Sequence, residues 1–404
     1  MKRTIILFAI VFAFGAVSCE KDPSGADDMG GGGAQSSGYA PDVYWSEDYS
    51  GRLGIQVSTG DTPMMMLADL PLYITGVNCY DLFNQSVNSS MNTSVMEATV
   101  AELLEQEVPV VRFNCNIYHA SELKYYFEQK DSFFANLKKL AELCDEAHIL
   151  LVPSVFWQIA TLPGYYEEEL KAWGDKESRT YAFMLAYTAE VVNLLKDHKC
   201  IAAWEFGNEF NLAADIAIAG YPDIPASAIG VAMKGFADVV KSIDTHGRLI
   251  SSGHSVMRNA QWHLANERNW TIDSFAQYVE MTGIMTPDPI RGMSEHIYEE
   301  QRSFSDRGTL DRKGQIAASM ECAKTLGKVF YVGEFTGTAD AAADVVKGHY
   351  DTYFDLGVQM SLIWNYAYYG NVEHSFKAAT REGNIAFSYM RDLNRRFFEA
   401  TSNK

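Results

Sequence analysis

The chain has 404 residues, 47% of them hydrophobic and 21% charged, with a formal net charge of -19. That is ample apolar material for one large core and excludes a chain disordered in bulk. The acidic balance argues against a phosphate-binding surface, since nucleic-acid affinity rests on clustered Lys and Arg, so nucleic acid is not an expected partner.

Met1-Lys2-Arg3 precedes an apolar run from Ile5 to Val17. The run is too short to span a bilayer as a mature helix and has the length of the apolar centre of an export signal, so residues 1–18 read as a signal peptide. Ala16 and Ser18 lead into Cys19, and a cysteine there resembles the lipidation site of bacterial lipoproteins, although Ala16 stands where leucine is more usual. The expected product is an exported protein, anchored through Cys19 to the outer membrane, periplasmic or surface-facing. Simple cleavage to a soluble exported protein is the alternative. Glu20 and Asp22 directly after the cysteine point toward surface display. From Glu20 to Gly38 the chain is mostly Gly, Ser and Asp and cannot offset its ordering entropy. Residues 19–44 are therefore expected to form a flexible linker, and residues 45–400 a single domain, monomeric and touching the membrane only through the anchor.

Leu53 to Val57 and Met64 to Leu67 flank Ser58-Thr59-Gly60-Asp61, a turn-rich tetrapeptide suited to a hairpin closing one end of the domain. Eight short β-rich apolar runs then alternate with helical patterning: Leu72 to Asn78, Val110 to Asn114, Ile149 to Phe156, Ile201 to Asn208, Arg248 to His254, Gly292 to Tyr298, Val329 to Glu334 and Val358 to Asn365. The stretches Ser132 to Ala147, Arg179 to Lys196 and Ile229 to Asp244 carry apolar residues at three- and four-residue spacing, the mark of outer helices. Eight such units predict an α/β fold, a (β/α)8 barrel. A doubly wound open sheet is the alternative, but no Gly-rich fingerprint follows the first run. After Cys19 five of the six cysteines remain, with no C-x-x-C spacing and no adjacent histidine pair, so buried thiols are expected and neither metal nor cofactor is indicated. Cys79 and Cys115, both at strand ends, are the pair that could meet.

In a parallel barrel the chemistry sits at the C-terminal strand tips. The fourth run ends Trp204-Glu205-Phe206-Gly207-Asn208-Glu209, the sixth Ser294-Glu295-His296-Ile297-Tyr298, the seventh Tyr331-Val332-Gly333-Glu334, and the eighth carries Ile363-Trp364-Asn365. Two carboxylates brought to one mouth from the fourth and seventh strands can flank one glycosidic bond, as hydrolysis with retention requires. These tips resemble those of clan A glycoside hydrolases, most of all glycoside hydrolase family 5, the cellulase and mannanase family, over nearly the whole barrel. The resemblance implies Glu209 as acid/base, Glu334 as nucleophile, and Asn208 as partner of the sugar 2-hydroxyl. It also matches Arg112 of Val-Val-Arg-Phe-Asn, His296, Tyr298 and Trp364 to the family's arginine, histidine and tyrosine pair, and tryptophan.

The residue chemistry fits those roles. Arg112 is expected to keep Glu334 ionised, Tyr298 to donate to the same carboxylate, the charge of Glu334 to keep Glu209 protonated, and Trp364 to offer a face for a pyranose. Glu205 reads as structural, below the mouth and paired with an arginine. His254 reads either as subsite lining or as a structural histidine, and His119 and Asn114 are lesser candidates. Where family 5 cellulases carry a histidine after the third strand, this chain has Phe156-Trp157-Gln158, which is more reminiscent of mannanases. Tyr80, Tyr118, Trp173, Trp262, Tyr366, Tyr368 and Tyr369 could floor further subsites. The expected activity is retaining hydrolysis of a β-linked polysaccharide or oligosaccharide, β-mannan somewhat ahead of β-glucan. The alternatives are a non-catalytic surface glycan-binding lipoprotein on the same barrel, and an isomerase or aldolase acting on a phosphorylated metabolite. Export argues against the latter, although Gly333 and Gly337 flank the seventh tip.

Overall fold

The computed structural model describes residues 39–116, 118–216, 218, 223–298, 300–335, 343–366 and 381–402. The expected signal peptide, Cys19 and the tether to residue 38 lie outside these residues. Eight strands, β1 (Ile74–Asn78), β2 (Val110–Asn114), β3 (Leu150–Phe156), β4 (Ala203–Gly207), β5 (Leu249–Ser251), β6 (Gly292–Ile297), β7 (Val329–Phe335) and β8 (Met360–Ile363), form a closed barrel in the cyclic order β7-β8-β1-β2-β3-β4-β5-β6. Every neighbouring pair is parallel. This is the (β/α)8 architecture that the eight apolar runs predict.

Each strand lies within or one residue beyond its expected run, and the fifth is cut shortest. Its run was expected to reach His254, but the ladder stops at Ser251 because Gly253 turns the chain at φ +67°, so close to β4 that a Cβ there would lie 1.8 Å from the Gly207 carbonyl oxygen. The helices Lys130–Ala147, Arg179–Leu195 and Ala226–Ile243 cover the three expected ones. Ser178 caps the second, its hydroxyl accepting from the Tyr181 amide at 3.0 Å. Their buried faces, including Leu137, Leu140, Val191, Val192, Phe236 and Val240, pack against outward-facing strand residues such as Val111, Phe113, Val155, Trp204 and Phe206.

A second apolar cluster fills the end of the barrel where the strands begin. It joins Ile74, Val110, Leu150, Leu249, Val329 and Met360, all at or near strand starts, to Ile55, Met65, Leu67 and Leu72. The expected hairpin is the cover: Gln56–Val57 pairs antiparallel with Met65–Leu67, which pairs in turn with Leu70–Pro71. Backbone bonds tie Ile55 to Ala202 and Leu249, while the Gln359 side chain accepts from Met65 N at 2.7 Å and donates to Met65 O and Leu72 O at 2.9 Å.

The linker was expected to reach residue 44, and the packed chain begins earlier. Ala40–Trp45 is a helix with Pro41 in its first turn and Ala40 and Tyr44 buried. The Tyr44 hydroxyl donates to Lys199 O at 2.6 Å and accepts from Gly54 N at 2.9 Å, so the segment 39–45, with Tyr39, Tyr44 and Trp45, packs against the domain. All five described cysteines are free and buried, so Cys79 and Cys115 do not pair. Among the described residues no helix is long and apolar enough to cross a membrane.

Arg248 fastens the base of β4. It is 4% exposed, donates to the carbonyls of Lys196, His198 and Ile201, and pairs with Asp244 at 2.8 Å. The Asp244 oxygen that meets it also accepts from Trp204 Nε1 at 2.7 Å. Replacing one partner of a buried pair leaves the other charge uncompensated, at a cost of about 3 to 5 kcal/mol. Arg248→Ala is expected to lower stability by that amount, read from the midpoint of denaturant unfolding; a loss under about 1 kcal/mol contradicts the assignment.

Candidate active site

The strand tips at the opposite end converge on one buried cation. Arg112 on β2 has no exposed surface. Its Nε donates to Glu205 Oε1 at 2.7 Å, Nη1 to Asn78 Oδ1 at 2.9 Å and Glu334 Oε1 at 2.8 Å, and Nη2 to Asn208 Oδ1 at 2.9 Å. Trp157, at the tip of β3, lies against the guanidinium with its ring centroid 4.6 Å from Cζ. Four of the five N–H donors of the fork have acceptors, on four different residues, which fixes the orientation of the side chain. Glu205 has the structural place expected of it, beneath the mouth and paired with an arginine.

Glu334 is aimed by an irregularity in β7. The register with β6 shifts between Val332 and Glu334, and that with β8 shifts over the same stretch, which makes Gly333 the extra residue of a bulge. Only glycine fits: a Cβ there would lie 2.3 Å from Ser294 Oγ and 2.9 Å from His296 Nε2. Glu334 Oε1 thus meets Arg112, while Oε2 accepts from the Tyr298 hydroxyl at 2.6 Å. The Tyr298 ring is open to solvent at the mouth.

Glu209 begins the loop after β4 with φ +56°, its amide donating to Gly253 O at 2.8 Å. His296 Nδ1 lies 2.9 Å from Glu209 Oε1 and 3.4 Å from Glu334 Oε1. One ligand atom from each of Glu209, His296 and Glu334 lies within 4.8 Å of the others. Such a trio could also hold a cation, but the guanidinium of Arg112, 2.8 Å from Glu334 Oε1, already places a positive charge beside it and opposes a second.

The electrostatics differ from the sequence expectation. Glu334 was expected to be held ionised and Glu209 protonated, yet in the free site burial pushes Glu334 above the ordinary carboxylate value, opposed by His296 and Arg112 and reinforced by Glu209. Burial also pushes Glu209 up, but the hydrogen bond and charge of His296, with Ser255 and Arg112, outweigh it and hold Glu209 below that value. The reason is geometric. The Glu209 side chain is 27% exposed against 5% for Glu334, His296 is nearer Glu209, and Arg112 divides its charge between Glu334 and Glu205.

Aromatic rings line one side of the mouth. Trp364 after β8 stacks on Tyr80 at 5.6 Å and on Trp157 at 6.2 Å, and Tyr118 approaches Tyr80 at 6.1 Å. Gln158 Nε2 donates to the Tyr118 hydroxyl at 2.8 Å. Other candidates fall elsewhere. His254 is buried, with Nε2 3.0 Å from Met285 O and its imidazole pushed down by burial to about 4, the arrangement of a structural histidine. Asn114 bonds Asn84 and the Asn116 amide, and exposed His119 caps the turn Ala120–Glu122. Trp173 and Tyr366 are buried packing groups, Trp262 bonds Glu280, and Tyr368 and Tyr369 lie outside the described residues.

Sequence reasoning missed Asn78, which donates to Gly333 O and Leu362 O while accepting from Arg112, and Tyr331, whose hydroxyl donates to Glu205 Oε2 at 2.5 Å. Polar side chains inside otherwise apolar strand runs were the available signal.

No family model and no curated protein matches the sequence. Solved structures do match in fold. The endo-β-1,4-mannanase from Thermotoga petrophila superposes with a TM-score of 0.57 at 14% identity, over 80% of this chain and 77% of that one. The glycoside hydrolase family 5 mannosidase from Rhizomucor miehei gives 0.57 at 13%, over 86% and 100%. The β-mannanase from the blue mussel Mytilus edulis gives 0.55 at 14%, over 85% and 97%. This chain therefore has the same (β/α)8 barrel fold as these mannanases and this mannosidase.

Because Glu334 binds its proton more tightly in the folded chain, its ionisation weakens the fold as pH rises from 4.5 through its raised folded value. Glu334→Gln removes that loss. The unfolding midpoint of the variant, relative to the wild type, is expected to be higher at pH 8 than at pH 4; an equal difference at both contradicts the raised value.

Proposed function

We propose that this protein is a retaining β-glycoside hydrolase acting by double displacement on a β-linked polysaccharide or oligosaccharide, with Glu334 as nucleophile and Glu209 as acid/base. The observation that carries this reading is the grouping of Glu209, His296 and Glu334 within 4.8 Å at the C-terminal mouth of the barrel. Retention uses a carboxyl pair about 5 to 5.5 Å apart, too close for a water between carboxylate and sugar, and oxygens of Glu209 and Glu334 within 4.8 Å of each other are compatible with such a pair.

Arg112 and Tyr298 place one donor on each oxygen of Glu334. The Tyr298 hydroxyl can remain with Oε2 while Oε1 bonds to the sugar, or the reverse. With its Oδ1 committed to Arg112, Asn208 has its amide NH2 left to donate to the sugar 2-hydroxyl. Moving the proton of the Glu209–His296 hydrogen bond from Nδ1 to Oε1 leaves the net charge of the site unchanged. Sugar covering the exposed part of Glu209 disfavours its charged form, so the acid is generated inside the site, without uptake from solvent. After the glycosyl-enzyme forms, the charge of Glu334 is gone and Glu209 serves as base toward water.

The aromatic rows Trp364, Trp157 and Tyr80 suit the apolar faces of pyranose rings. β-Mannan is favoured over β-glucan because Trp157 stands at the third tip and because the fold neighbours named above are two mannanases and a mannosidase. The reading places the enzyme outside the cytoplasm, exported and lipid-anchored through Cys19.

Product release from β-mannan, glucomannan, cellulose, xyloglucan and β-1,3-glucan by the mature protein tests the proposal. Oligosaccharides are expected from at least one polymer, with the β-configuration kept at the new reducing end by NMR. Glu334→Ala and Glu209→Ala are each expected to lower turnover by more than about 1,000-fold without loss of fold, Glu334→Ala the more severely. Polymer binding without products would favour the glycan-binding alternative, and full activity in both variants would sink the assignment.

A further inference from the structure

Beneath the mouth runs a chain of buried hydrogen bonds of which only the last link, Arg112 to Glu334, enters the proposed chemistry. Ser251 Oγ and the Tyr331 hydroxyl lie 2.7 Å apart, and the Tyr331 hydroxyl lies 2.5 Å from Glu205 Oε2. A carboxylate only accepts, so Tyr331 donates to Glu205 and Ser251 donates to Tyr331. Glu205 Oε1 takes the Arg112 Nε donor at 2.7 Å, and Arg112 continues through Nη1 to Glu334. The donors therefore run from Ser251 to Tyr331 to Glu205 on one side and from Arg112 to Glu205 and Glu334 on the other. Ser251, Tyr331, Glu205 and Arg112 are all 0% exposed, so no water modulates the chain from outside.

One cation thus serves two carboxylates. From this arrangement we infer that Glu205 and Tyr331 are positioning residues that set how strongly Arg112 holds Glu334 in its charged, attacking form. The inference rests on the hydrolase reading and deepens it. Glu205 shares the charge of Arg112, so Glu334 faces a paired cation with an oriented donor, and not a bare one. Tyr331, by donating to the far oxygen of Glu205, draws part of the Glu205 charge away from Arg112 and leaves more of the cation for Glu334. The other charged or titratable groups that face Glu334 are Glu209 from the end of β4 and His296 and Tyr298 from β6; neither substitution below touches them.

Two near-isosteric changes then act in opposite directions. Glu205→Gln keeps an oxygen for Arg112 Nε and loses the negative charge, so Arg112 acts on Glu334 undivided. Tyr331→Phe removes the donor to Glu205, so Glu205 leans harder on Arg112. The acid limb of kcat/KM reports ionisation of the free enzyme's nucleophile. It is expected to move down by about one pH unit in Glu205→Gln and up by about half a unit in Tyr331→Phe.

The experiment is the pH profile of kcat/KM for wild type and both variants on whichever polysaccharide of the panel the wild type cleaves, with thermal unfolding measured alongside. Shifts of opposite sign support the inference. Limbs that coincide with the wild type, or that move in the same direction, overturn it even if kcat falls, since a merely structural role lowers activity without moving the limb. If Glu205→Gln does not fold, Tyr331→Phe alone decides: an upward shift supports the inference and an unmoved limb overturns it. A wild type with no activity on any polymer instead removes the hydrolase reading on which the inference rests.

Discussion

One buried guanidinium holds the mouth of this barrel together. Taking a cation and two carboxylates out of water costs several kcal/mol per ion, and the cost is offset only where geometry is good and the remaining donors and acceptors are matched. Arg112 meets that condition on all sides, with Glu205 below, Glu334 across, Asn78 and Asn208 flanking and Trp157 on its face. A lysine could not replace it, because a point charge cannot bond four acceptors in one plane. Strands β1, β2, β4 and β7 are thereby coupled through a single side chain.

Around that fixed centre the two glutamates differ by environment and not by chemistry. Glu334 lies deep, on a bulge that only glycine permits, and burial raises it. Glu209 lies nearer solvent, on a left-handed residue after β4, and His296 lowers it. These are directions for the free site. In the proposed hydrolysis, covering of the mouth by sugar is what would shift the balance at Glu209 toward its neutral form.

The barrel was legible because its evidence is local and repeated. Runs such as Val110 to Asn114 and Val329 to Glu334 are short, apolar and bounded by polar segments, and their observed strands match them closely. The strand tips were legible because a carboxylate or arginine beside apolar residues has few reasons to be there. Gly253 limited the reading of β5, since a turn imposed by contact with Gly207 leaves no pattern in the sequence around it. The electrostatics were not legible either. Arg112 is divided between Glu334 and Glu205, and Glu205 lies 93 positions from Arg112 in sequence. Asn78 and Tyr331 were missed for the same reason, since a polar residue in a strand acquires meaning only from what the closed barrel places opposite it.

The hairpin under the barrel has a further consequence, for the order of assembly. Its Met65 amide and carbonyl are satisfied by Gln359, 294 positions later in the chain, and Leu72 O depends on the same side chain. These bonds cannot form until the entry to β8 has been delivered. A chain delivered from its N-terminus would present the hairpin first and complete it nearly last. Closure of the floor is thus a signal that the whole barrel has arrived, and contacts of such long range belong to the slow, late part of folding.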